Sequence, residues 1–201
     1  MEEFFADRLF NALEREPVVP GSLLVSAPDT RFGDLARSVV LVLAHNEELT
    51  FGVDLAARSD VAVFNVLPDW HEVVSKPQAL YIGGPLSQQT VVGVGVTAPG
   101  VEIDKYPFLT QLVGRIVHID LNVDPEQLRG LVEGVRLFAG YAGWSPGQLE
   151  EEIEAGDWYV VPALNSDVVA PGGRDVWGDV LRRQPLPLPL FATFPADLAD
   201  N

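Results

Sequence analysis

The sequence contains no cysteine and a single methionine among its 201 residues. Disulfide bonds, thiolate nucleophiles, iron–sulfur clusters and cysteine-ligated zinc are therefore excluded. The fold must draw its stability from a hydrophobic core, and hydrophobic residues make up 47% of the chain, which is enough for a sizeable one. The same composition excludes fibrous and globally disordered classes.

Basic residues are also scarce, because 13 lysines and arginines stand against 29 aspartates and glutamates, for a formal net charge of −16. Such a charge repels the phosphates of nucleic acids and anionic membrane surfaces. Direct nucleic-acid binding is therefore not expected. Residues 1–8 are acidic and lack a continuous apolar stretch, so no secretory signal or membrane anchor is predicted. We expect a cytoplasmic protein without a membrane partner.

The chain has the length of one domain, and it shows no internal repeat and no long linker. We predict a single domain over residues 1–201, ending in an extended proline-rich arm over residues 185–201. Strand patterns outnumber helical ones, which favours an α+β fold around a mixed or mostly antiparallel sheet, with a doubly wound parallel fold as the alternative. Predicted strands cover 22–27, 39–44, 51–55, 79–82, 90–97, 115–121, 136–138 and 158–161. Predicted helices cover 4–15, one or two turns capped by Asp69, 124–135, 146–155 and 175–181.

The segment Gly143-Trp144-Ser145-Pro146-Gly147 fits the G-x-S-x-G pattern of a hydrolase nucleophile elbow, between a predicted strand and a predicted helix. The residue after the serine must donate its backbone N–H to the oxyanion, and Pro146 has no N–H. The three histidines, His45, His71 and His118, all precede Ser145, which is not the order of an α/β-hydrolase. The pattern therefore gives a hydrolase only as the alternative hypothesis.

The same residues also predict a capped helix. Ser145 would be the N-cap, Pro146 the first helical residue and Gln148 the partner in a capping box. Trp144 would pack on Leu149, and Gly156 would end the helix in a left-handed conformation. This structural interpretation accounts for more of the segment than the hydrolase does.

Other candidate sites have weaker patterns. Gly93 and Gly95 fit a loose dinucleotide motif, but Pro99 follows where a helix should begin, so a glycine-containing strand is favoured. The turn Gly83-Gly84-Pro85 cannot be a P-loop but could shape a small-ligand pocket. The histidines lack zinc-ligand spacing, and the acidic run Glu150–Glu154 is interpreted as a solvated helix face. We predict no metal and no cofactor.

The stretch from Phe138 to Ile153, followed by Gly156-Asp157-Trp158, closely resembles the YqgE/AlgH family of bacterial proteins. The likeness extends to Gly21-Ser22-Leu23-Leu24-Val25, to Ser38-Val39-Val40 leading to His45, and to Gly83-Gly84-Pro85, so it spans nearly the whole chain. It implies an α+β fold whose irregular sheet curls into a pseudo-barrel flanked by short helices. It implies no particular reaction, although members are labelled transcriptional regulators. Members usually carry Asn and Pro where this chain has Ala56 and Arg58.

The leading hypothesis is therefore a non-catalytic cytoplasmic binding or regulatory module, acting through a small ligand or a protein partner and able to form a homo-oligomer. The regulator label would not work by direct DNA binding, because the net charge is −16. We expect one ligand-binding surface if the fold brings the candidate residues together. These are His45, Gly83, Gly84, Pro85, Tyr141, Trp144 and Gln148. A hydrolase using Ser145, with His45 or His118 as its base, is the alternative.

Overall fold

Ten strands form one hydrogen-bonded sheet in residues 16–28, 30, 35–171 and 174–194, which are the residues that the computed structural model describes. The strands are β1 (Ser22–Ser26), β2 (Val39–His45), β3 (Thr50–Asp54), β4 (Arg58–Ala62), β5 (Ala79–Ile82), β6 (Leu86–Thr97), β7 (Leu109–Val113), β8 (Ile116–Ile119), β9 (Val132–Trp144) and β10 (Trp158–Pro162). The helices are α1 (Gln148–Glu154), α2 (Asn165–Val168), α3 (Val176–Arg182) and α4 (Leu188–Phe191). Single 3₁₀ turns occupy Val63–Asn65, Pro68–Trp70, Ile103–Lys105 and Pro125–Leu128.

The sheet is mixed and mostly antiparallel, as the sequence predicts. Its main path runs β10-β1-β2-β3-β9-β6-β8-β7, with β5 beside β9 and β4 beside β5. The β5–β9 pair is parallel and the other pairs are antiparallel. The sheet curls, so that Gly21, just before β1, lies against Val113 of β7. A Cβ added to Gly21 would be only 2.6 Å from the Cβ of Val113. The protein is thus an α+β domain with a half-barrel sheet, and the doubly wound parallel alternative is wrong.

Strand β9 is the longest of these elements and pairs with three neighbours. Its first part pairs with β6, from Val132 to Ala139, and its last part pairs with β3, where Trp144 lies opposite Thr50. Gly140 separates these parts in a left-handed conformation with φ 73°. A Cβ at Gly140 would lie 2.6 Å from the carbonyl oxygen of Leu86, so only glycine lets the two backbones cross this closely.

The sheet has an inner face, which carries Phe138, and an outer face, which carries Trp144. The inner face holds the largest core, which α3 closes with Trp177 and Leu181. Two smaller cores lie on the outer face, one around Leu137 and one around Trp144. Each half of β9 alternates between the faces, as expected of a strand with apolar packing on both sides.

The predicted helix over residues 124–135 is wrong beyond its first turn. Asp124 does act as an N-cap, because its carboxylate accepts the backbone N–H of Glu126 at 3.0 Å. The 3₁₀ turn ends at Leu128, Gly130 takes a left-handed φ of 77°, and β9 begins at Val132. The β-branched valines that resemble a helical stripe instead pair with β6, so long-range pairing overrides the local pattern.

Several other boundaries differ from the prediction. Asp69 lies inside the turn Pro68–Trp70, whose N-cap is Leu67. The arm predicted over residues 185–201 contains the helical turn α4, where the Phe191 ring stacks on Tyr159 with centroids 5.9 Å apart, so that part is not extended. Strands β4 and β7 were not predicted, and β6 begins four residues before the predicted strand 90–97. The predicted helix over residues 4–15 and the end of the arm, residues 195–201, lie outside the described residues.

We predict that Gly140→Ala destabilises the protein by about 2–4 kcal/mol, because left-handed strain adds to a steric overlap with the crossing backbone. Urea unfolding measures this loss. Gly100→Ala is the matched control, since Gly100 has a similar φ of 81° but no atom within 4 Å of its Cβ position. The control should lose only about 1 kcal/mol. Equal losses in the two variants would contradict the close-crossing argument.

Candidate functional site

The segment that resembles a nucleophile elbow forms a tight turn between β9 and α1. The Gln148 N–H donates to the Ser145 carbonyl at 3.0 Å, with Pro146 second in the turn and Gly147 third at φ 78°. This is the sequence and geometry of a type II turn. Gly147 is therefore the residue that precedes the helix, and the prediction of Ser145 as N-cap is wrong. Gln148 does reach back as predicted, since its Oε1 accepts the Ser145 N–H at 3.0 Å.

Glu152 joins this turn and helix to the sheet. Its Oε2 accepts hydrogen bonds from the indole N–H groups of Trp144 and Trp158 at 2.7 and 2.8 Å, and its Oε1 accepts from Gln148 at 2.9 Å. Only 8% of Glu152 is exposed. The two indole rings meet edge to face, with centroids 5.8 Å apart. The prediction of a solvated acidic face is thus wrong for Glu152, because two buried indoles require an acceptor there.

His45 ends β2 beside the same turn. Its Nδ1 lies 2.7 Å from the Thr50 hydroxyl oxygen, and its Nε2 lies 3.9 Å from a carboxylate oxygen of Glu150 on α1. Thr50 pairs in turn with Trp144 across β3 and β9. A shift of register between Val42 and Ala44 places His45 opposite Thr50. His45, Trp144 and Gln148 therefore lie together on the outer face.

The turn Gly83-Gly84-Pro85 lies on the inner side, where β5 leaves β9. The Gly83 N–H donates to the Ala139 carbonyl, and the Gly83 carbonyl accepts the Asp54 N–H, both at 2.9 Å. A Cβ on Gly84 would collide with the backbone of Tyr141. These two glycines make room for the chain's own crossing strand. Pro85 follows them on the surface.

The predicted site residues consequently divide between two faces. Tyr141 packs with the inner core, its ring edge-on to Phe51 at 5.8 Å, whereas Trp144 packs with the outer core. The expectation that all seven candidates share one surface is wrong. Neighbours along a strand point to opposite sides of a sheet, so closeness in sequence gave no common surface here.

The other histidines lie elsewhere. His118 is on β8 opposite Val94, and burial lowers its pKa, opposed by the charge of Asp120. The His71 ring packs edge-on against Phe64. In the described ranges, no hydrogen bond joins a histidine to the Ser145 hydroxyl, and no cluster of three or more His, Asp or Glu could hold a metal. Gly93 and Gly95 lie inside β6, as the strand interpretation predicts.

Arg136 and Asp54 are among the buried charges that escaped prediction. Arg136 is 1% exposed and donates from Nη1 to the carbonyls of Ser75 and Pro77, at 3.0 and 2.9 Å. Its Nη2 donates to Lys76 and Ala170 at 3.0 and 2.6 Å. Burial lowers the pKa of this guanidinium. Its sequence signal was a lone charge between buried apolar neighbours in a strand.

The second of these charges is Asp54, at the end of β3. Its carboxylate accepts the Ser38 hydroxyl at 2.7 Å and the backbone N–H groups of Val39 and Ala56 at 3.2 and 2.9 Å. Burial raises the pKa of this carboxyl, although these hydrogen bonds oppose the shift. Asp54 thus joins β3 to the start of β2, and its carboxylate has a structural role.

Fold and sequence together place the chain in a family. The chain folds as a half-barrel α+β domain. Its sequence matches the family described as AlgH-like (DUF179) over residues 23–189, and the chain belongs to that family. A UPF0301 protein of Corynebacterium efficiens is 63% identical over 201 residues, which is 100% of both chains. A UPF0301 protein of Mycobacterium tuberculosis is 46% identical over 181 residues, 90% of each chain.

Solved structures agree with the fold. The crystal structure of a Corynebacterium diphtheriae protein matches with a TM-score of 0.91 and 63% identity, over 94% of this chain and 100% of that one. The solution structure of the AlgH protein from Pseudomonas aeruginosa matches with a TM-score of 0.64 and 20% identity, over 92% and 98% of the two chains, and supports the fold alone. Among the described residues, no helix has the length and apolar character needed to span a membrane.

We predict that Glu152→Ala destabilises the protein by about 3 kcal/mol, because it leaves two buried indole N–H groups without an acceptor. Urea unfolding followed by tryptophan fluorescence measures the loss. Glu154→Ala is the control on the same helix, with its side chain exposed, and should change stability by less than about 0.5 kcal/mol. Similar effects of the two substitutions would show that the Glu152 bonds do not hold the helix to the sheet.

Proposed function

We propose that this protein is a non-catalytic cytoplasmic binding module of a regulatory kind. The supporting observation is that three polar side chains in and beside its most enzyme-like segment, those of Gln148, Glu152 and His45, are bonded within the chain. Gln148 and Glu152 bond to each other and to the turn and indoles, and His45 contacts Thr50 and Glu150. A catalytic group needs a free position from which to act on a substrate. The lack of cysteine is consistent with the cytoplasm.

The proposed binding surface is the outer-face part of the predicted site. His45 and Gln148 lie at its rim with the exposed turn residues Ser145 and Pro146, and Trp144 lies beneath them. This surface would take a small ligand or a protein partner. Nucleic acid is a poor partner, because the net charge of −16 opposes a polyanion. Gly83, Gly84 and Tyr141 would support this surface indirectly, because their backbones pack together where the turn crosses β9.

A hydrolase is the second candidate, because Ser145 is exposed between a strand and a helix, as an elbow requires. Two observations weigh against it. Pro146 supplies no N–H for an oxyanion, and His45, which contacts α1 through Glu150, already has Thr50 and Glu150 as its partners. The binding module therefore accounts better for the arrangement.

Thermal unfolding against a library of metabolites and nucleotides tests the proposed surface. A ligand that binds the folded protein at a hundredfold excess over Kd adds about 2.7 kcal/mol of stability. We expect the shift to disappear in the double variant His45→Ala/Gln148→Ala and to persist in the control Gln89→Ala, whose side chain is exposed on β6. A ligand consumed in a reaction that requires Ser145 would contradict the proposal.

A further inference from the structure

Most of the lysines and arginines in the described part of the chain are paired with a carboxylate. Each of seven described lysines and arginines has a carboxylate oxygen within 4.0 Å. The pairs are Arg37–Asp175, Lys105–Glu102, Arg115–Glu133, Arg129–Glu126, Arg174–Asp179, Arg182–Asp179 and Arg183–Asp167. Among the described cations only Arg58, Lys76 and Arg136 have none. In a chain with 29 acidic residues, this is an unexpected exception.

Arg136 connects the three unpaired cations, through the Tyr81 ring on one side and the Lys76 backbone on the other. Arg136 donates to the Lys76 carbonyl at 3.0 Å, and its guanidinium carbon lies 4.8 Å from the centroid of the Tyr81 ring. Tyr81 pairs directly with Arg58 across β4 and β5, so these two side chains share one face of the sheet. Burial lowers the pKa of Arg136, and the positive charge of Arg58 lowers it further. We call Arg58, Lys76 and Arg136 the cation cluster.

The members of the cation cluster have different exposure. Arg136 is buried, and its four hydrogen bonds go to neutral carbonyl oxygens, so its charge has no counterion. Arg58 and Lys76 are both exposed. The carboxylate nearest to Arg58 in sequence is that of Asp60, two residues further along β4. It forms no ion pair with Arg58 in the described structure.

We propose that the cation cluster binds a small anion that carries a phosphate group. Arg58 would offer its planar fork to two phosphate oxygens, and Lys76 would add a compact charge from the loop before β5. Arg136 would contribute its uncompensated charge from behind, without touching the ligand. A small anion fits better than a polymer, because the net charge of −16 repels extended polyanions. This site is separate from the outer-face surface of the proposed function, because Arg136 and Tyr81 lie on the inner face.

Isothermal titration with inorganic phosphate and with pyrophosphate tests the proposal, at constant ionic strength with chloride as the competing anion. We expect saturable binding to the full chain at one site. The variant Arg58→Gln/Lys76→Gln should bind at least about tenfold more weakly, because it removes two charge-assisted contacts. The matched control Lys105→Gln/Arg129→Gln removes two exposed cations that already have carboxylate partners, and it should bind as the parent does.

Three results would overturn the proposal. One is a heat of mixing no different from that of chloride, and another is undiminished binding in Arg58→Gln/Lys76→Gln. The third is binding to a lipid headgroup. The proposal predicts that vesicles containing phosphatidic acid do not sediment the protein. Sedimentation that depends on Arg58 and Lys76 would assign the site to a membrane phosphate instead. Circular dichroism of each variant verifies that these exposed substitutions leave the fold intact.

Discussion

Most of the structure depends on the path of β9. Over 13 residues this strand pairs with β6, β5 and β3, so it links the two halves of the sheet. The strand can do so only because Gly140 lets the segment around Leu86 cross its backbone closely. The crossing also changes which residues face the inner core, and it thereby places Arg136 on one side of the sheet and Trp144 on the other. The location of both candidate sites follows from this single constraint.

The chemically active side chains are largely used to hold this sheet and its connections together. Glu152 fixes α1 against the two indoles, Asp54 joins β3 to the start of β2, and Arg136 binds the loop at Ser75–Pro77 and the carbonyl of Ala170. Buried polar groups of this kind are stabilising only when their hydrogen bonds are complete. Residues that look catalytic in the sequence are therefore mostly structural here.

Local patterns predicted the parts of the fold that local forces determine. The apolar run at Val39 gave β2, and Asp175 caps α3 by accepting the Gly178 N–H at 3.1 Å, as expected. The failures came from long-range pairing: Val132 and Val135 read as one helical face but belong to a strand. Likewise, sequence proximity suggested that Tyr141 and Trp144 act together, and the alternation of β9 separates them. The lone charge of Arg136 in an apolar strand was a signal in the sequence, but the cation cluster as a whole depends on the β4–β5 register, which no local pattern predicted.

The central proposal is that this protein is a binding module and does not use Ser145 for covalent catalysis. Incubation with a fluorophosphonate tests this most directly, because such a probe phosphonylates a serine oxygen, with loss of fluoride, when a base activates that serine. Mass spectrometry of the intact chain and its peptides reads the result, with Ser145→Ala as the control. The account predicts no labelling above that control. Stoichiometric modification of Ser145 would contradict it and restore the hydrolase.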